Sequence, residues 1–96
     1  MEIESFRHKG IERFFSTGDR RRLVGDANRL GKMLAFIDAA ASFDELQVPP
    51  NFGLHPLKGD RSGAWAMTVT RNWRLTFSLD DEGRLVDVDL EDYHGD

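Results

Sequence analysis

Alternating apolar residues in the C-terminal half constrain the fold of this 96-residue chain more than any other feature. Apolar side chains occupy every second position from Trp65 to Val69 and again from Trp73 to Leu79. Successive side chains of a β-strand point to opposite faces, so the pattern predicts two strands, each with one buried face. Only Arg71-Asn72 separates them, a length that predicts a tight turn and therefore antiparallel pairing.

Two further segments are predicted to join the same sheet. Leu54 to Lys58 is a candidate strand between a proline-containing loop and a glycine. After a turn at 80–83, a last strand alternates two kinds of residue, with Val86, Val88 and Leu90 on one face and Asp87, Asp89 and Glu91 on the other. This pattern is typical of a strand with one buried and one solvated face.

Helical spacing fills the N-terminal half of the chain. A first helix is predicted from the apolar spacing of Phe6, Ile11, Phe14 and Phe15, and it ends at Thr17-Gly18, where glycine can adopt the left-handed cap. A second helix is predicted from Asp26, as N-cap, to roughly Ala41. The segment from Ser42 to Gly53, with Pro49 and Pro50, is expected to be a loop.

The order of these elements predicts an α+β fold in which two N-terminal helices pack on one face of a small antiparallel sheet. A chain of 96 residues with 40% hydrophobic content has room for one core, so residues 1–96 are predicted to form a single domain. The other face of the sheet stays open, and strands would hold side chains there rigidly, as a preorganised site requires.

Composition narrows the classes of function. The chain has no cysteine, which rules out disulfides and thiolate chemistry, and neither a secretory signal nor a membrane span is found, so a cytoplasmic protein is expected. The net charge is −4, with +3 in residues 1–79 and −7 in residues 80–96. An acidic chain argues weakly against nucleic acid as a partner, but the acidity belongs to the C-terminal segment alone.

Three short motifs carry the residues able to perform chemistry: 54–59 (LHPLKG), 71–75 (RNWRL) and 91–94 (EDYH). Each motif has a plain structural alternative. His55 could be a partly exposed strand residue, and Lys58 and Arg74 could be solvated cations that pair with the acidic last strand. The run Asp92-Tyr93-His94 could be a polar strand end.

Taken together, these residue types suit a metal-free ribonuclease acting at the 2′-hydroxyl of RNA. That reaction needs a proton acceptor, a proton donor and cations that face the phosphate. Histidine can serve as acid or base near neutral pH, and lysine and arginine bind phosphate. A metal site is not expected, because His8, His55 and His94 are dispersed and no cysteine joins them. His8 is expected to cap the first helix.

In their order and spacing, the motifs strongly resemble HigB-type toxins (the plasmid maintenance killer family) of the RelE/ParE superfamily. The resemblance spans nearly the whole chain. It rests on the opening 5–10 (SFRHKG) with 13–15 (RFF), the central 55–59 (HPLKG), the strand 72–77 (NWRLTF) and the terminal Asp92-Tyr93-His94.

The resemblance implies the toxin of a type II toxin-antitoxin pair, a metal-independent endoribonuclease without cofactor that cuts mRNA in the ribosomal A site. In that activity the 2′-hydroxyl attacks and leaves a cyclic phosphate. The roles implied are proton transfer for His55 and His94, an orienting or acid-base role for Asp92 and Tyr93, and phosphate and transition-state binding for Lys58 and Arg74. The implied partners are the ribosome, mRNA and a helix-turn-helix antitoxin of the HigA type, with operator DNA contacted only through the antitoxin.

Two features depart from the family pattern. Many relatives place an arginine on the catalytic face of the strand from Trp65 to Val69, where this chain has Thr68. Arg71 in the adjacent turn is a further candidate for RNA contact, although it could simply be exposed. The acidic net charge is the second departure, because positive charge favours ribosome binding. The alternatives are a ParE-like toxin that poisons DNA gyrase without cutting RNA, and an inactive homologue that only binds its antitoxin.

Overall fold

A computed structural model describes residues 1–23 and 25–92. Three α-helices, a short 3-10 helix and four strands form the described part of the chain. In chain order they are α1 Lys9–Thr17, α2 Ala27–Ala39, α3 Phe43–Leu46, β1 His55–Pro56, the 3-10 helix Gly59–Arg61, β2 Ala64–Thr68, β3 Trp73–Leu79 and β4 Leu85–Asp92. The strands form one antiparallel sheet in the order β1-β2-β3-β4. None of the helices described is long and apolar enough to cross a membrane.

The caps of the two main helices are as the sequence predicts, but Phe6 precedes α1 and bridges to Val88, and α2 ends at Ala39, two residues before the predicted Ala41. His8 is the N-cap of α1, where its Nδ1 accepts a hydrogen bond from the amide of Ile11 at 3.1 Å. Gly18 ends that helix with a φ of 80°, in the left-handed region that glycine adopts without steric cost. Asp26 caps α2 by accepting from the Arg29 amide at 3.0 Å. These bonds satisfy amides that have no partner within their own helix.

The hydrophobic core lies between the helices and one face of the sheet. The helices contribute Ile11, Leu30, Met33, Leu34 and Ile37, and the strands contribute Met67, Leu75, Phe77, Leu85, Val88 and Leu90. Most of these side chains are fully buried. The predicted α+β architecture, with helices on one face of an antiparallel sheet, is therefore confirmed.

Three local predictions were wrong in length. The connection between β2 and β3 spans residues 69–72 rather than two residues, because the amides of Val69 and Thr70 both donate to the carbonyl of Trp73. The predicted loop after α2 contains the helical turn α3, whose Leu46 is buried in the core. The predicted first strand is only the two residues of β1.

The alternation predicted for β4 breaks at a β-bulge. Ser78 pairs with Val86 and Thr76 with Asp89, so β4 contains an extra residue opposite Phe77. Asp87 lies in the bulge and has a φ of 57°, in the left-handed region, which aspartate tolerates better than most residues. The sequence pattern predicted Val86 on the core face with Val88. The bulge instead places Val86 on the face of Ser78.

The N-terminal segment lies beside β4 and supports the bulge. Single bridges join Ile3 to Leu85 and Phe6 to Val88 in parallel orientation. The hydroxyl oxygen of Ser5 accepts a hydrogen bond from the Asp87 amide at 2.8 Å. The bulged amide therefore has a partner although it is out of register with β3.

Candidate active site

The face of the sheet away from the helices, called the open face below, brings residues of all four strands together. Pairing places His55 beside Ala66, Ala66 beside Thr76, and Thr76 beside Asp89, so these four residues form one row across the sheet. The next row consists of Thr68, Arg74 and Glu91. Alternate residues of a strand point to the same face, so the predicted residues His55 and Arg74, one row apart, belong to one surface.

Glu91 is the centre of the polar contacts on the open face. Its two carboxylate oxygens accept from the two terminal nitrogens of Arg61 at 2.7 and 2.6 Å. Oε2 also accepts from the hydroxyl of Thr76 at 2.6 Å, and Oε1 lies 3.4 Å from Nη2 of Arg74. The hydrogen bonds from Arg61, with that from Thr76, lower the pKa of Glu91 to about 2 against the opposing effect of burial. Glu91 is therefore a fixed anion at neutral pH and does not serve as a proton donor.

His55 is held in one tautomer by the backbone before β1. Its Nδ1 lies 2.9 Å from the carbonyl oxygen of Gly53. A carbonyl oxygen only accepts hydrogen bonds, so Nδ1 carries the hydrogen and Nε2 of the neutral ring is left as the acceptor. The loop thus sets which ring nitrogen can take up a proton.

The loop that orients His55 packs directly against β2 at the position where the family resemblance leads one to expect an arginine. The Thr68 amide donates to the Phe52 carbonyl at 2.7 Å. Gly53 has a φ of +69°, and a Cβ atom placed there would lie 3.2 Å from the Thr68 hydroxyl. A small side chain at 68 and glycine at 53 therefore allow this close approach, which brings the Gly53 carbonyl to His55.

The other predicted cations lie at the margins of the open face. Lys58 is exposed at the start of the 3-10 helix, two residues beyond β1. Arg71 is exposed in the loop between β2 and β3, at the same end of the hairpin as the Arg74–Glu91 pair. Arg71 therefore lies at the sheet end that carries Arg74, whereas Lys58 follows β1 at the other end, beside the start of β2 at Ala64.

Of the predicted terminal run, only Asp92 lies within the described residues. It pairs in register with Trp73, one position beyond the Arg74–Glu91 pair, and it is exposed. Tyr93 and His94 lie outside the described residues. Their assignment to the site stays a prediction.

Sequence reasoning assigned Arg61 and Thr76 no place in the site, and it assigned Glu91 no role although Glu91 opens the 91–94 motif. Glu91 and Thr76 had a detectable signal, because they alternate in phase with Asp89 and Arg74 on adjacent strands. Arg61 had none, since its contact with Glu91 spans 30 residues and depends on the 3-10 helix folding back over the sheet. One structural alternative is also correct in part: Arg74 does pair with the acidic last strand.

This architecture, with two helices behind the sheet and a polar open face, is that of RelE-like toxins. The chain superposes on YafQ from E. coli with a TM-score of 0.60 over 96% of this chain and 94% of that one, at 18% identity. It matches a chain of the YoeB-YefM complex from Staphylococcus aureus with a TM-score of 0.53 and 16% identity, covering 99% of this chain and 100% of that one. At these identities the likeness establishes the fold.

Sequence comparison defines the family more closely. Residues 4–94 match the HigB-like toxin family, described as the RelE-like toxin of the type II toxin-antitoxin system HigB. Over 93 residues the chain is 41% identical to the endoribonuclease HigB of Proteus vulgaris, covering 96% of this chain and 99% of that protein. It is 32% identical over 79 residues to the toxin HigB-1 of Vibrio cholerae, covering 80% and 82%. The chain belongs to the HigB-like toxin family, so the predicted resemblance is confirmed.

Proposed function

We propose that this protein is the toxin of a type II toxin-antitoxin pair and that it cleaves mRNA on the ribosome. The observation that carries the proposal is the open face, where a histidine of fixed tautomer and an arginine held by a carboxylate share one sheet surface. The 41% identity to a protein named as an endoribonuclease supports the same activity. Residues 1–96 are proposed to act as one toxin domain in the cytoplasm.

The chemistry proposed is transfer of the RNA phosphate to its own 2′-hydroxyl. The 2′-oxygen attacks phosphorus while a base removes its proton, the bond from phosphorus to the 5′-oxygen breaks, and an acid protonates that oxygen. The products are a 2′,3′-cyclic phosphate and a 5′-hydroxyl, so every atom and proton is accounted for without a metal or cofactor. Arg74 would face the phosphate, whose negative charge increases in the transition state.

His55 suits the role of proton acceptor because its Nε2 is the free acceptor atom. His94 is proposed as the second proton-transfer group, with Asp92 and Tyr93 as its orienting or acid-base partners. Lys58 and Arg71 are proposed to contact the RNA backbone from the margins of the open face. Lysine would do so as a point charge, whereas arginine can bind two phosphate oxygens at once.

The partners proposed are an antitoxin, the ribosome and mRNA. The fold is shared with a chain of the DinJ-YafQ toxin-antitoxin complex of E. coli, with a TM-score of 0.60 over 99% of this chain and 100% of that one. By analogy we propose a helix-turn-helix antitoxin of the HigA type, through which alone the toxin would reach operator DNA.

The test is brief induction followed by mapping of new 5′ ends in mRNA. The wild type is expected to produce cuts in register with codons and 5′-hydroxyl products. His55→Ala, Asp92→Ala and His94→Ala are expected to reduce cleavage by about 10²-fold or more, the usual effect of losing a general acid or base. His8→Asn is the matched control, because it removes a histidine but keeps a side chain able to cap α1.

The outcomes separate the alternatives. Full cleavage by all three alanine variants, at equal protein level, would refute the catalytic assignment. Growth arrest with DNA damage and no codon-registered cuts would instead indicate a gyrase poison. Absence of toxicity with retained antitoxin binding would indicate an inactive homologue.

A further inference from the structure

Arg61 reaches the open face from outside the sheet. It is the last residue of the 3-10 helix, and its guanidinium meets the Glu91 carboxylate end to end, with both terminal nitrogens donating at 2.7 and 2.6 Å. The paired, nearly parallel bonds of such a contact fix the plane of the guanidinium as well as its position. Arg61 is therefore oriented on the open face although it does not belong to a strand.

The contact with Glu91 leaves most of the guanidinium donors of Arg61 available. Arginine has five N–H donors, and an end-on carboxylate uses two of them, one from each terminal nitrogen. One donor on each terminal nitrogen and the Nε–H remain. The side chain of Arg61 is 41% exposed, whereas that of Glu91 is 20% exposed. An incoming anion can therefore contact Arg61 without displacing the carboxylate.

Arg61 and Arg74 are held on the same oxygen of Glu91. Oε1 accepts from Nη1 of Arg61 at 2.7 Å and lies 3.4 Å from Nη2 of Arg74. The two guanidinium groups are therefore neighbours around one carboxylate, and Asp89 on the same face also attracts Arg61. Arginine is well suited to bind phosphate in bidentate fashion, so two neighbouring arginines suit an RNA backbone.

We propose that Arg61 is a second phosphate-binding arginine of the active site, and that Glu91 positions it beside Arg74 to contact the RNA backbone at the scissile phosphate or its neighbour. This inference rests on the proposed function. It supplies a cation to the open face where Thr68 provides none. It also gives Glu91 a positioning role, since the carboxylate holds both guanidinium groups but does not itself contact RNA.

The test compares Arg61→Gln with Arg84→Gln on ribosomes programmed with labelled mRNA. Arg84 is a close match for Arg61, because it is held by the carboxylates of Asp80, Glu82 and Glu4 at 2.8 to 3.3 Å, but at the opposite end of the β3–β4 hairpin. Arg61→Gln is expected to raise KM about tenfold with kcat within about twofold, as for the loss of a binding contact. The slope of log K against log salt is expected to fall by about 0.7, the value of one single-strand phosphate contact.

Thermal unfolding of the same variants separates binding from stability. If Arg61→Gln lowers Tm but matches Arg84→Gln in KM and in salt slope, Arg61 is only a structural partner of Glu91 and the inference fails. Arg61→Lys covers the case in which the glutamine variant does not fold. It keeps one charge and is expected to retain the salt slope while KM still rises, because lysine cannot contact Glu91 and phosphate with a planar fork.

The proposed function and the inference fail differently. Wild-type protein that binds programmed ribosomes but does not cut mRNA refutes the function, and the salt slopes of the two glutamine variants still decide the role of Arg61. Wild-type protein that neither binds nor cuts refutes both. Cleavage by wild type with equal slopes for all variants refutes the inference alone.

Discussion

Replacing Glu91 with glutamine is expected to destabilise the protein in a pH-dependent way. Arg61 and Thr76 lower the Glu91 pKa from 4.5 to about 2 in the folded protein. At 1.36 kcal/mol per unit, the full lowering corresponds to about 3 kcal/mol at neutral pH. The side chains of the pair are 20% and 41% exposed, so screening by solvent reduces this to about 2 kcal/mol.

The sign of the pH dependence follows from the lowered pKa. Because the carboxylate is favoured in the folded state, its stabilising effect is complete above pH ~5 and is lost as the pH falls toward 2. The difference in the free energy of unfolding between wild type and Glu91→Gln is therefore expected to fall by more than half, to about 1 kcal/mol or less, near pH 3.

Urea unfolding at pH 7, 5, 4 and 3 measures this difference. Using the difference between two variants cancels the contributions of other carboxylates with lowered pKa, such as Asp19 and Asp80. Glu82→Gln is the control, because Glu82 also pairs with an arginine but is 70% exposed, and it is expected to change stability little at any pH. A Glu91→Gln difference that stays constant from pH 7 to 3 would refute the view that Glu91 acts as a bound anion.

Substitutions in three parts of the molecule test the fold. Phe77→Ala removes a fully buried ring between helices and sheet and is expected to cost about 3 to 5 kcal/mol in urea unfolding, and a cost under ~1 kcal/mol would contradict the core assignment. Asp26→Ala is expected to cost about 1 kcal/mol with Asp26→Asn close to wild type, whereas equal effects would argue against capping. Gly10→Ala would place Cβ 2.9 Å from the Arg22 carbonyl oxygen and is expected to cost about 1 to 3 kcal/mol. Gly31→Ala, with its nearest contact at 3.4 Å, is expected to stabilise α2 by up to ~1 kcal/mol. The opposite order of the two variants in thermal unfolding would refute the close packing at Gly10.

The parts of the fold that could be predicted depend on local chemistry. The N-cap of α2 at Asp26 and the C-terminal end of α1 at Gly18 follow from which side chains and backbone angles satisfy a helix end. The apolar residues at every second position of β3 follow from the packing of Leu75 and Phe77 in the core. Each of these is decided within a few residues along the chain.

The parts that could not be predicted depend on tertiary pairing. Alternation in β4 gives no sign of the extra residue, because Asp87 fits its sequence pattern equally well with or without a bulge. The bulge shows only when β4 is paired with β3 and with the N-terminal segment, whose Ser5 hydroxyl accepts from the Asp87 amide. Composition likewise gave no sign of α3, which covers a corner of the core with Leu46.

In the candidate site, too, local chemistry predicts some features and tertiary pairing determines the others. His55 and Arg74 could be proposed because their residue types suit proton transfer and phosphate binding, and strand pairing does bring them to one face. The contacts that fix their geometry come from elsewhere in the chain. The Gly53 carbonyl sets the tautomer of His55, and Glu91 sets the place of both arginines. Types of residue were thus predictable, while their orientation required the fold.

The acidity of the C-terminal segment argues weakly against an RNA substrate, and the positions of its charges in the structure weaken that argument. Glu91 is matched by two arginines, and the acids of the β3–β4 turn are matched in part by Arg84. That turn follows Leu79, five residues along β3 from Arg74, which at ~3.4 Å per residue is roughly 17 Å away. This exceeds the screening length of ~8 Å at physiological salt, so the turn exerts little field at the site.

On the open face itself, Asp89 is the acid beside Glu91, and the charges of Arg61, Arg74, Glu91 and Asp89 sum to zero. In the proposed function, attraction for RNA would therefore come from directed hydrogen bonds of the two oriented arginines and from Lys58 and Arg71, and the geometry set by Glu91 would matter more than the net charge of the chain.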